Sequence, residues 1–337
     1  MSTTPPALRF VTSVYGAKYG GLLVPLLYSI KRSNPRANVT VFWQDVTPAI
    51  RLLERVYPEY EFIDVGVGRH ADLIDNIGEK APLWAKAAAH HPGEQIVLMD
   101  SDMLVLKDVS HYFEEEFEAG FTHKVQEPFP LNTGVFLLRT TPGLLAFLDV
   151  WARRTTEIIT TPALREQATG PSHPYGGPDQ MAWWELIGFD RTKNDYVVQS
   201  GDEALRIKGF PCSELNETRS CPVTNDTHII HYKGGWHPIL MDGTGFTVNR
   251  PRNDSWQMYL LYLQTYREAS RYAAEKLPAN EVPKSFGIAV PFYFDANLEP
   301  SPFLYKLFAM KESVAIPLRT WMKAAKRRLK ARAKRAA

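Results

Sequence analysis

The sequence has little cysteine, no long apolar run and no leader-like start, and each absence excludes a class of protein. Its two cysteines, Cys212 and Cys221, are too few for a disulfide scaffold in 337 residues, so we expect free thiols in a reducing compartment. No apolar stretch reaches the roughly 18–20 residues that a membrane-spanning helix needs. The first residues lack the basic-then-apolar pattern of a secretory signal, so we expect a cytoplasmic protein. Four asparagines stand in sequons that we then expect to remain unglycosylated: Asn38, Asn216, Asn225 and Asn253.

Charge is unevenly distributed along the chain. The whole chain has a net charge of +2, but residues 319–337 contain nine basic residues and no acid, which leaves −7 for the rest. Apolar residues are interspersed over 314–337: Ile316, Leu318, Trp321, Met322 and Leu329. An amphipathic helix over 314–337 would suit an anionic membrane surface, and a disordered solubilising tail is the alternative. Nucleic acid is not expected as a partner.

The first part of the chain alternates short strands with helices. Strands are predicted over residues 8–14, 39–43, 60–65 and 96–99, with helices over 22–32, 48–57 and 83–90. This alternation is typical of βαβ units, and it predicts an α/β fold with a mostly parallel central sheet and flanking helices.

The second part has a different pattern. Strands are predicted over 119–124, 132–138 and 227–231, and helices over 142–157 and 255–276. Pro178 is predicted to open a further helix, since proline suits the first helical position. Residues 160–177, rich in Pro, Gly, Ser and Thr, are predicted to form a loop over the site.

The central strand ends in two carboxylates, Asp100 and Asp102, separated by Ser101. Apolar residues resume at Leu104, so the pair is held between two packed segments. Ligands of open α/β sheets bind outside the carboxyl ends of the strands. Carboxylates at i and i+2 in extended chain point the same way and can share one divalent cation. We therefore predict a cation site here.

Five stretches together resemble the GT-A nucleotide-sugar glycosyltransferases, most closely glycosyltransferase family 8. They are the first strand and helix, the Asp100–Asp102 triplet, residues 132–136, Asp179–Gln180, and residues 231–234, in the family's order over about residues 8–240. The resemblance implies a GT-A fold with a C-terminal helical extension and a nucleoside-diphosphate sugar as donor. It divides the chain into a catalytic domain over 1–250 (nucleotide half 1–110, sugar half 111–250), a connector over 251–312 and a tail over 313–337.

The resemblance also implies a metal site. Asp100, Asp102 and His231 match the family's ligands for Mn²⁺, which holds the donor diphosphate. Two carboxylates and an imidazole suit Mn²⁺ better than Mg²⁺, although Mg²⁺ stays open. The family's late motif has a lysine on the diphosphate where this chain has His237, so His237 or Lys233 would take that role, beside Gly234.

Further residues are implied as donor and sugar contacts. Asn132, Asp179 and Gln180 match the sugar-contacting residues, with the Gln180 amide near the anomeric carbon in a retaining, same-face attack. Lys86 falls near a basic donor contact and Ser101 lies within the metal motif. Tyr15 and Tyr19 are candidates for stacking on the base. An acceptor platform is predicted among Tyr175, Trp183, Trp184 and Trp236.

The function predicted from these residues is transfer of a hexose from a UDP-sugar to a carbohydrate or glycolipid acceptor. An inverting route would instead need a carboxylate base, for which Glu127, Asp179 and Asp242 are candidates. A sugar-1-phosphate nucleotidyltransferase and a non-catalytic glycan-binding protein of the same fold are the alternatives. The first of these normally has a glycine-rich loop after the first strand, of which residues 14–21 are a poor version.

Overall fold

A computed structural model of the chain describes residues 8–66, 73–124, 129–170, 174–216, 223–242 and 253–288. Glu127, Cys221, residues 289–312 of the predicted connector and the whole basic tail lie outside these ranges, so the predictions made for them stay predictions. None of the described helices is long and apolar enough to cross a membrane.

An eight-stranded mixed sheet forms the centre of the fold. Its strands run in the order β3-β2-β1-β4-β7-β6-β9-β8, and β5 and β10 form a separate antiparallel pair. β3, β2, β1 and β4 are mutually parallel, whereas β7 runs antiparallel to both β4 and β6. The bounds are β1 Leu8–Tyr15, β2 Asn38–Gln44, β3 Glu61–Asp64, β4 Gln95–Asp100, β5 Met103–Val105, β6 Ala119–His123, β7 Leu131–Arg139, β8 Asp195–Ser200, β9 Glu203–Pro211 and β10 Ile229–His231.

Helices follow the predicted alternation with strands. Their bounds are α1 Gly16–Tyr19, α2 Leu23–Ser33, α3 Pro48–Arg51, α4 Leu53–Val56, α5 Leu73–His90, α6 Pro142–Thr160, α7 Pro162–Thr169, α8 Pro178–Ile187, α9 Cys212–Leu215, α10 Trp236–Asp242 and α11 Asn253–Lys276. Local sequence explains several starts: the Thr141 hydroxyl accepts a hydrogen bond from the Leu144 amide ahead of Pro142 in α6, a typical N-cap.

Two apolar cores cover the two faces of the sheet. Val97 and Met99 of β4 pack into the core that contains α2 and α11, while Ile96 and Leu98 pack into the core that contains α5, α6 and α8. Alternate residues of a strand point to opposite faces, and both faces here are covered. This is why β4 is a continuous apolar run.

The predicted helix over 83–90 is too short. α5 begins ten residues earlier and contains Pro82 in its interior. Proline usually ends a helix because it lacks an amide proton, so the sequence suggested a start after it. The underestimate matters because the missed part of α5 carries a lysine of the site.

The prediction of a loop over 160–177 is wrong in part. α7 occupies Pro162–Thr169, because Pro162 suits the first helical position and the residues after it are good helix formers. The predicted helix over 48–57 is divided into α3 and α4. The β8–β9 hairpin, which turns through Gly201 at φ +62°, and α10 were not predicted.

The sheet has a topological switch point between β1 and β4. The chain passes from β1 to β2 on one side, then returns to place β4 on the other side of β1. Ser13 pairs with Asp100, so the last residues of both strands lie at the same edge. Crevices at such points are where α/β sheets bind ligands, and Asp100 and Asp102 lie there.

Candidate metal and nucleotide-sugar site

Asp100, Asp102 and His231 come together at the carboxyl edge of the sheet. Each offers one ligand atom, and the three atoms all lie within 4.8 Å of one another. His231 Nε2 lies 3.1 Å from Asp102 Oδ1 and 3.7 Å from Asp100 Oδ2. Antiparallel pairing of β10 with β5 creates this proximity, because His231 is opposite Met103, the residue after Asp102.

The site favours a cation. Asp102 and His231 are buried, and a buried carboxylate without compensating charge is costly. Burial raises the pKa of Asp100, although Lys80 opposes the rise. Burial would also raise the pKa of Asp102, but the neighbouring imidazoles of His231 and His237 outweigh it and hold that pKa well below its usual range. The two carboxylates and the imidazole fit a divalent cation of the Mn²⁺ type.

Lys80 links Asp179 to the three candidate metal ligands Asp100, Asp102 and His231, which we call the metal cluster. Its ammonium group lies 2.8 Å from Asp100 Oδ1 and 3.6 Å from Asp179 Oδ2, and it donates to the backbone carbonyl of Thr133 at 2.9 Å. Burial opposes the charged form, but the attraction of Asp100 and Asp179 prevails and raises the pKa of Lys80. Trp84, one turn later in α5, lies under the ammonium group with its ring centroid at 4.3 Å.

Lys80 was not predicted, and Lys86 was proposed in its place. Lys86 lies six residues further along α5, on a different side of the helix, and its side chain is exposed. The structure therefore brings Lys80, rather than Lys86, to the aspartates. Lys80 and Trp84 stand four residues apart, a spacing that places two side chains on one helix face, but Pro82 between them argued against a helix there.

Asp179 and Asn132 are buried and held by short hydrogen bonds. The Thr133 hydroxyl donates to Asp179 Oδ2 at 2.6 Å, and the Trp151 indole donates to the Asp179 carbonyl at 2.9 Å. Asn132 Oδ1 accepts from the backbone amide of Gly134 at 2.8 Å. Gln180 is half-buried on the first turn of α8. Strand β7 and helix α8 thus hold Asn132 near His231 and Asp179 near Asp100, and Gln180 follows Asp179 in the chain.

Gly176 and Gly134 allow side chains of the site to approach the backbone closely. A Cβ on Gly176 would lie 2.8 Å from Gln180 Nε2, and the backbone there has φ +85°. A Cβ on Gly134 would lie 2.8 Å from His231 Cε1. Real Cβ atoms do not approach this closely, so glycine is required at both positions for the present packing.

His237 lies on the metal cluster. Its Nε2 is 2.6 Å from Asp102 Oδ2. Burial would lower the pKa of His237, but the hydrogen bond to Asp102 outweighs it and raises the pKa. Tyr19 contacts the His237 ring edge-on, with centroids 5.5 Å apart. Gly234, three residues before His237, has φ +62°, which suits the tight turn between β10 and α10.

The remaining predicted donor contacts surround this cluster. Burial, with the negative charges of Glu79 and Asp100 adding to it, raises the pKa of Tyr15, so its phenol is neutral beside the aspartates. Ser101 is half-buried between the two aspartates. Burial and the nearby Lys124 lower the pKa of Lys233, which lies on the same turn as Gly234.

The predicted aromatic platform is only partly present. Trp183 and Trp236 are buried in the two cores, because adjacent positions on a helix face different ways and α10 packs inward. Trp184 and Tyr175 remain half-exposed and meet edge-on at 5.3 Å. Phe129, 46% exposed, lies beside Gly176 and was not predicted.

Comparisons with known proteins give a fold but no family. No family model matches the chain, and no curated protein does. The fold is similar to that of the glycosyltransferase GlyE of Streptococcus pneumoniae TIGR4, with a TM-score of 0.51 at 13% identity over 84% of this chain and 66% of that one. The chain thus spans slightly less than two thirds of the length of GlyE.

A second similar structure is that of the galactosyltransferase LgtC in complex with donor and acceptor sugar analogs. It aligns with a TM-score of 0.49 at 14% identity, over 82% of this chain and 98% of LgtC. At such identities a likeness establishes the fold alone. With the sheet order described above, the likeness to GlyE confirms the predicted α/β fold of GT-A type.

Proposed function

We propose that this chain is a metal-dependent glycosyltransferase that moves a hexose from a nucleoside-diphosphate sugar to an acceptor hydroxyl. The observation that carries the proposal is the group formed by the half-buried Asp100 with the buried Asp102 and His231 at the switch point of a GT-A sheet. Fold alone does not determine activity, so the proposal depends on this group. A UDP-sugar is the proposed donor and a carbohydrate or glycolipid the proposed acceptor.

The metal ligands and their neighbours would hold the donor diphosphate. A bound Mn²⁺ or Mg²⁺ would supply positive charge to the departing nucleoside diphosphate, on which negative charge grows during transfer. His237, which contacts Asp102, and Lys233, which lies in the turn after β10, are the side chains proposed to contact the diphosphate, and Gly234 in the same turn would allow close backbone approach. Tyr15 and Tyr19 would flank the base.

The sugar would lie between the metal and α8. Lys80 bridges Asp100 and Asp179 through its ammonium group, so that both carboxylates stay fixed. Asn132, Asp179 and Gln180 would bind the sugar hydroxyls. We propose retention of configuration through same-face attack, with Gln180 near the anomeric carbon. Asp179 is a poor candidate for an inverting base, because Thr133 and Lys80 already hold its Oδ2.

A thermal-shift titration with UDP, GDP and CMP, each with and without Mn²⁺, tests the donor class. We expect UDP to raise the unfolding midpoint only with Mn²⁺, because the diphosphate binds through the metal. No shift with any nucleotide and metal would overturn the transferase proposal and favour a binding protein of the same fold. Product stereochemistry by NMR, with a defined acceptor, tests retention.

Membrane contact is proposed from the sequence alone. The tail over 313–337 combines nine basic residues with Trp321 and other apolar side chains. We expect the chain to float with anionic vesicles but not with neutral ones, and to lose this binding when residues 313–337 are removed. Equal flotation of the shortened chain would contradict the proposal. We also propose that the chain divides into a catalytic domain over 1–250 and a connector over 251–312, which precedes the tail.

A further inference from the structure

A buried asparagine lies directly behind the imidazole of the metal cluster. Asn216 follows α9 and is fully buried, and its Oδ1 lies 2.8 Å from His231 Nδ1. It stands in a glycosylation sequon, but the folded chain leaves no access to it. The opposite ring nitrogen, Nε2, faces Asp100 and Asp102.

The orientation of the Asn216 amide follows from two further hydrogen bonds. Asn216 Nδ2 donates to Thr122 Oγ1 at 2.7 Å, and Thr122 Oγ1 donates to the backbone carbonyl of Asn132 at 2.9 Å. A hydroxyl has one proton, so Thr122 accepts from Asn216 and cannot also donate to it. A reversed amide would take the Thr122 proton away from the buried Asn132 carbonyl. Oδ1 therefore faces His231.

An acceptor at Oδ1 determines which nitrogen of His231 carries the proton. Nδ1 must be the donor, so Nε2, which faces the two carboxylates, is the ring nitrogen that remains to bind a cation held between them. Gly134 contacts the ring from another side, where a Cβ would lie 2.8 Å from Cε1. The ring is thus fixed both in tautomer and in position.

We propose that Asn216, itself held by Thr122, is a positioning residue that presents His231 Nε2 to the metal. This rests on the proposed function, in which His231 is a metal ligand. Outer hydrogen bonds of this kind orient metal-binding histidines, and their loss typically weakens metal affinity by about 10- to 100-fold.

Two readouts test the proposal separately from activity. The first is the ¹⁵N chemical shifts of the His231 ring in the metal-free chain, which report the protonated nitrogen. The second is Mn²⁺ affinity in the presence of UDP, measured by the loss of the free-ion EPR signal. We expect a protonated Nδ1 in the wild type, and Asn216→Leu to weaken Mn²⁺ binding by about 10- to 100-fold and to alter the ring shifts.

Matched variants complete the design. Asn216→Asp keeps an acceptor for Nδ1 and should bind Mn²⁺ within a few-fold of the wild type. Thr122→Val removes the support of the amide at nearly constant shape and should weaken Mn²⁺ in the same direction but less. Asn225→Leu, at an exposed asparagine, should change neither readout. If Asn216→Leu does not fold, Asn216→Asp and Thr122→Val carry the test.

The outcomes separate the inference from the proposed function. Absence of Mn²⁺ binding by the wild type would overturn the metal site, while the ring shifts would still test the role of Asn216. Wild-type binding that Asn216→Leu and Thr122→Val leave unchanged, with Nδ1 still protonated, would overturn the inference alone. A wild-type ring protonated only on Nε2 would also overturn it.

Discussion

The two ends of the central sheet carry similar chemical groups with different surroundings. At the carboxyl end, Asp100, Asp102 and His231 offer three ligand atoms within 4.8 Å, and at the amino end Glu61 and the neighbouring histidines His90 and His91 do the same. Among the described residues, both clusters therefore have the acids and imidazoles of a potential metal site. Composition alone does not distinguish a binding site from a structural network.

The amino-end cluster already contains its own cation. The Arg9 guanidinium lies 2.7 Å from Glu94 Oε2 and 3.8 Å from Glu61 Oε2, and it also donates to the Thr40 hydroxyl. The Glu61 side chain is 39% exposed. The Arg9 cation and solvent thus compensate the negative charges of Glu61 and Glu94, and a metal ion would have to compete with Arg9.

The carboxyl-end cluster has less compensation and less water. Asp100 and Asp179 share the ammonium group of Lys80, whereas Asp102 faces the imidazoles of His231 and His237, and its side chain is only 9% exposed. Three carboxylates thus have one permanently charged partner, Lys80, in a largely buried place that the sheet topology opens to ligands. The comparison teaches that position in the fold and uncompensated charge, rather than residue type, mark the site.

The largest expected effect is on sugar transfer and nucleotide binding, when one acid is replaced in each of the two clusters. Asp102→Asn should lower sugar transfer by at least about 100-fold and abolish the UDP- and Mn²⁺-dependent thermal shift, because the metal loses a carboxylate. Glu61→Gln, the matched change at the amino end, should leave both unchanged. Equal losses in the two variants would mean that the clusters do not differ in function.

The next effect concerns the cation at the carboxyl end. Lys80→Met should lower the free energy of unfolding by about 3 kcal/mol, because it leaves the buried Asp179 and the half-buried Asp100 without their shared partner. Added Mn²⁺ should restore part of the loss by supplying positive charge. Urea denaturation with and without Mn²⁺ measures both quantities.

An exposed lysine of the same helix serves as the control for that experiment. Lys86→Met should change the free energy of unfolding by less than about 0.5 kcal/mol. If it destabilises the chain as much as Lys80→Met does, burial of the Lys80 ion pair is not the cause.

The smallest effect is expected at the amino end, as a dependence of stability on pH. Burial, with Arg9 adding to it, lowers the pKa of His91. The unfolded chain then binds a proton at His91 below about pH 6.5 while the folded chain resists it, so stability falls as the pH falls through this range. Burial would raise the pKa of Glu61, but hydrogen bonds from Thr40 and His90 outweigh it and lower that pKa, which acts in the same direction at lower pH.

Urea denaturation at pH 7.5 and 5.5 measures this contribution. The wild type should lose stability on acidification, and His91→Gln should lose less, although Glu94 and Arg9 stay in place in both. His90→Gln, at the exposed neighbour, is the control. Identical pH dependence of His91→Gln and the wild type would show that His91 does not titrate differently on folding.

Local pattern was sufficient to predict the strand that ends in Asp100 and the carboxylate pair that follows it, because an apolar run and two nearby acids are properties of a short segment. His231 was added to this pair only through the resemblance to glycosyltransferase family 8. Lys80 could not be predicted in this way. Pro82 concealed the length of α5, and the contact of Lys80 with Asp100 joins segments that are separate in the sequence. α7 was missed because its flanking residues are typical of loops.

Asn216 shows the same limit more sharply. Its sequence context indicates a glycosylation sequon, whereas its contacts with His231 and Thr122 join segments that are distant along the chain. The aromatic residues of the predicted platform also depended on packing: Trp183 is in the core, and Trp184 is half-exposed. Side-chain direction on a helix is determined by which neighbours cover it, and the sequence alone does not state them.

The most direct test of the account is a calorimetric titration of UDP in the presence of Mn²⁺ into the wild type, Asp102→Asn and Glu61→Gln. We predict binding to the wild type and to Glu61→Gln with similar affinity, no binding to Asp102→Asn, and none to the wild type once the metal is chelated. Binding that survives in Asp102→Asn, or that is lost in Glu61→Gln, would contradict the assignment of the metal and nucleotide site to the carboxyl end of the sheet.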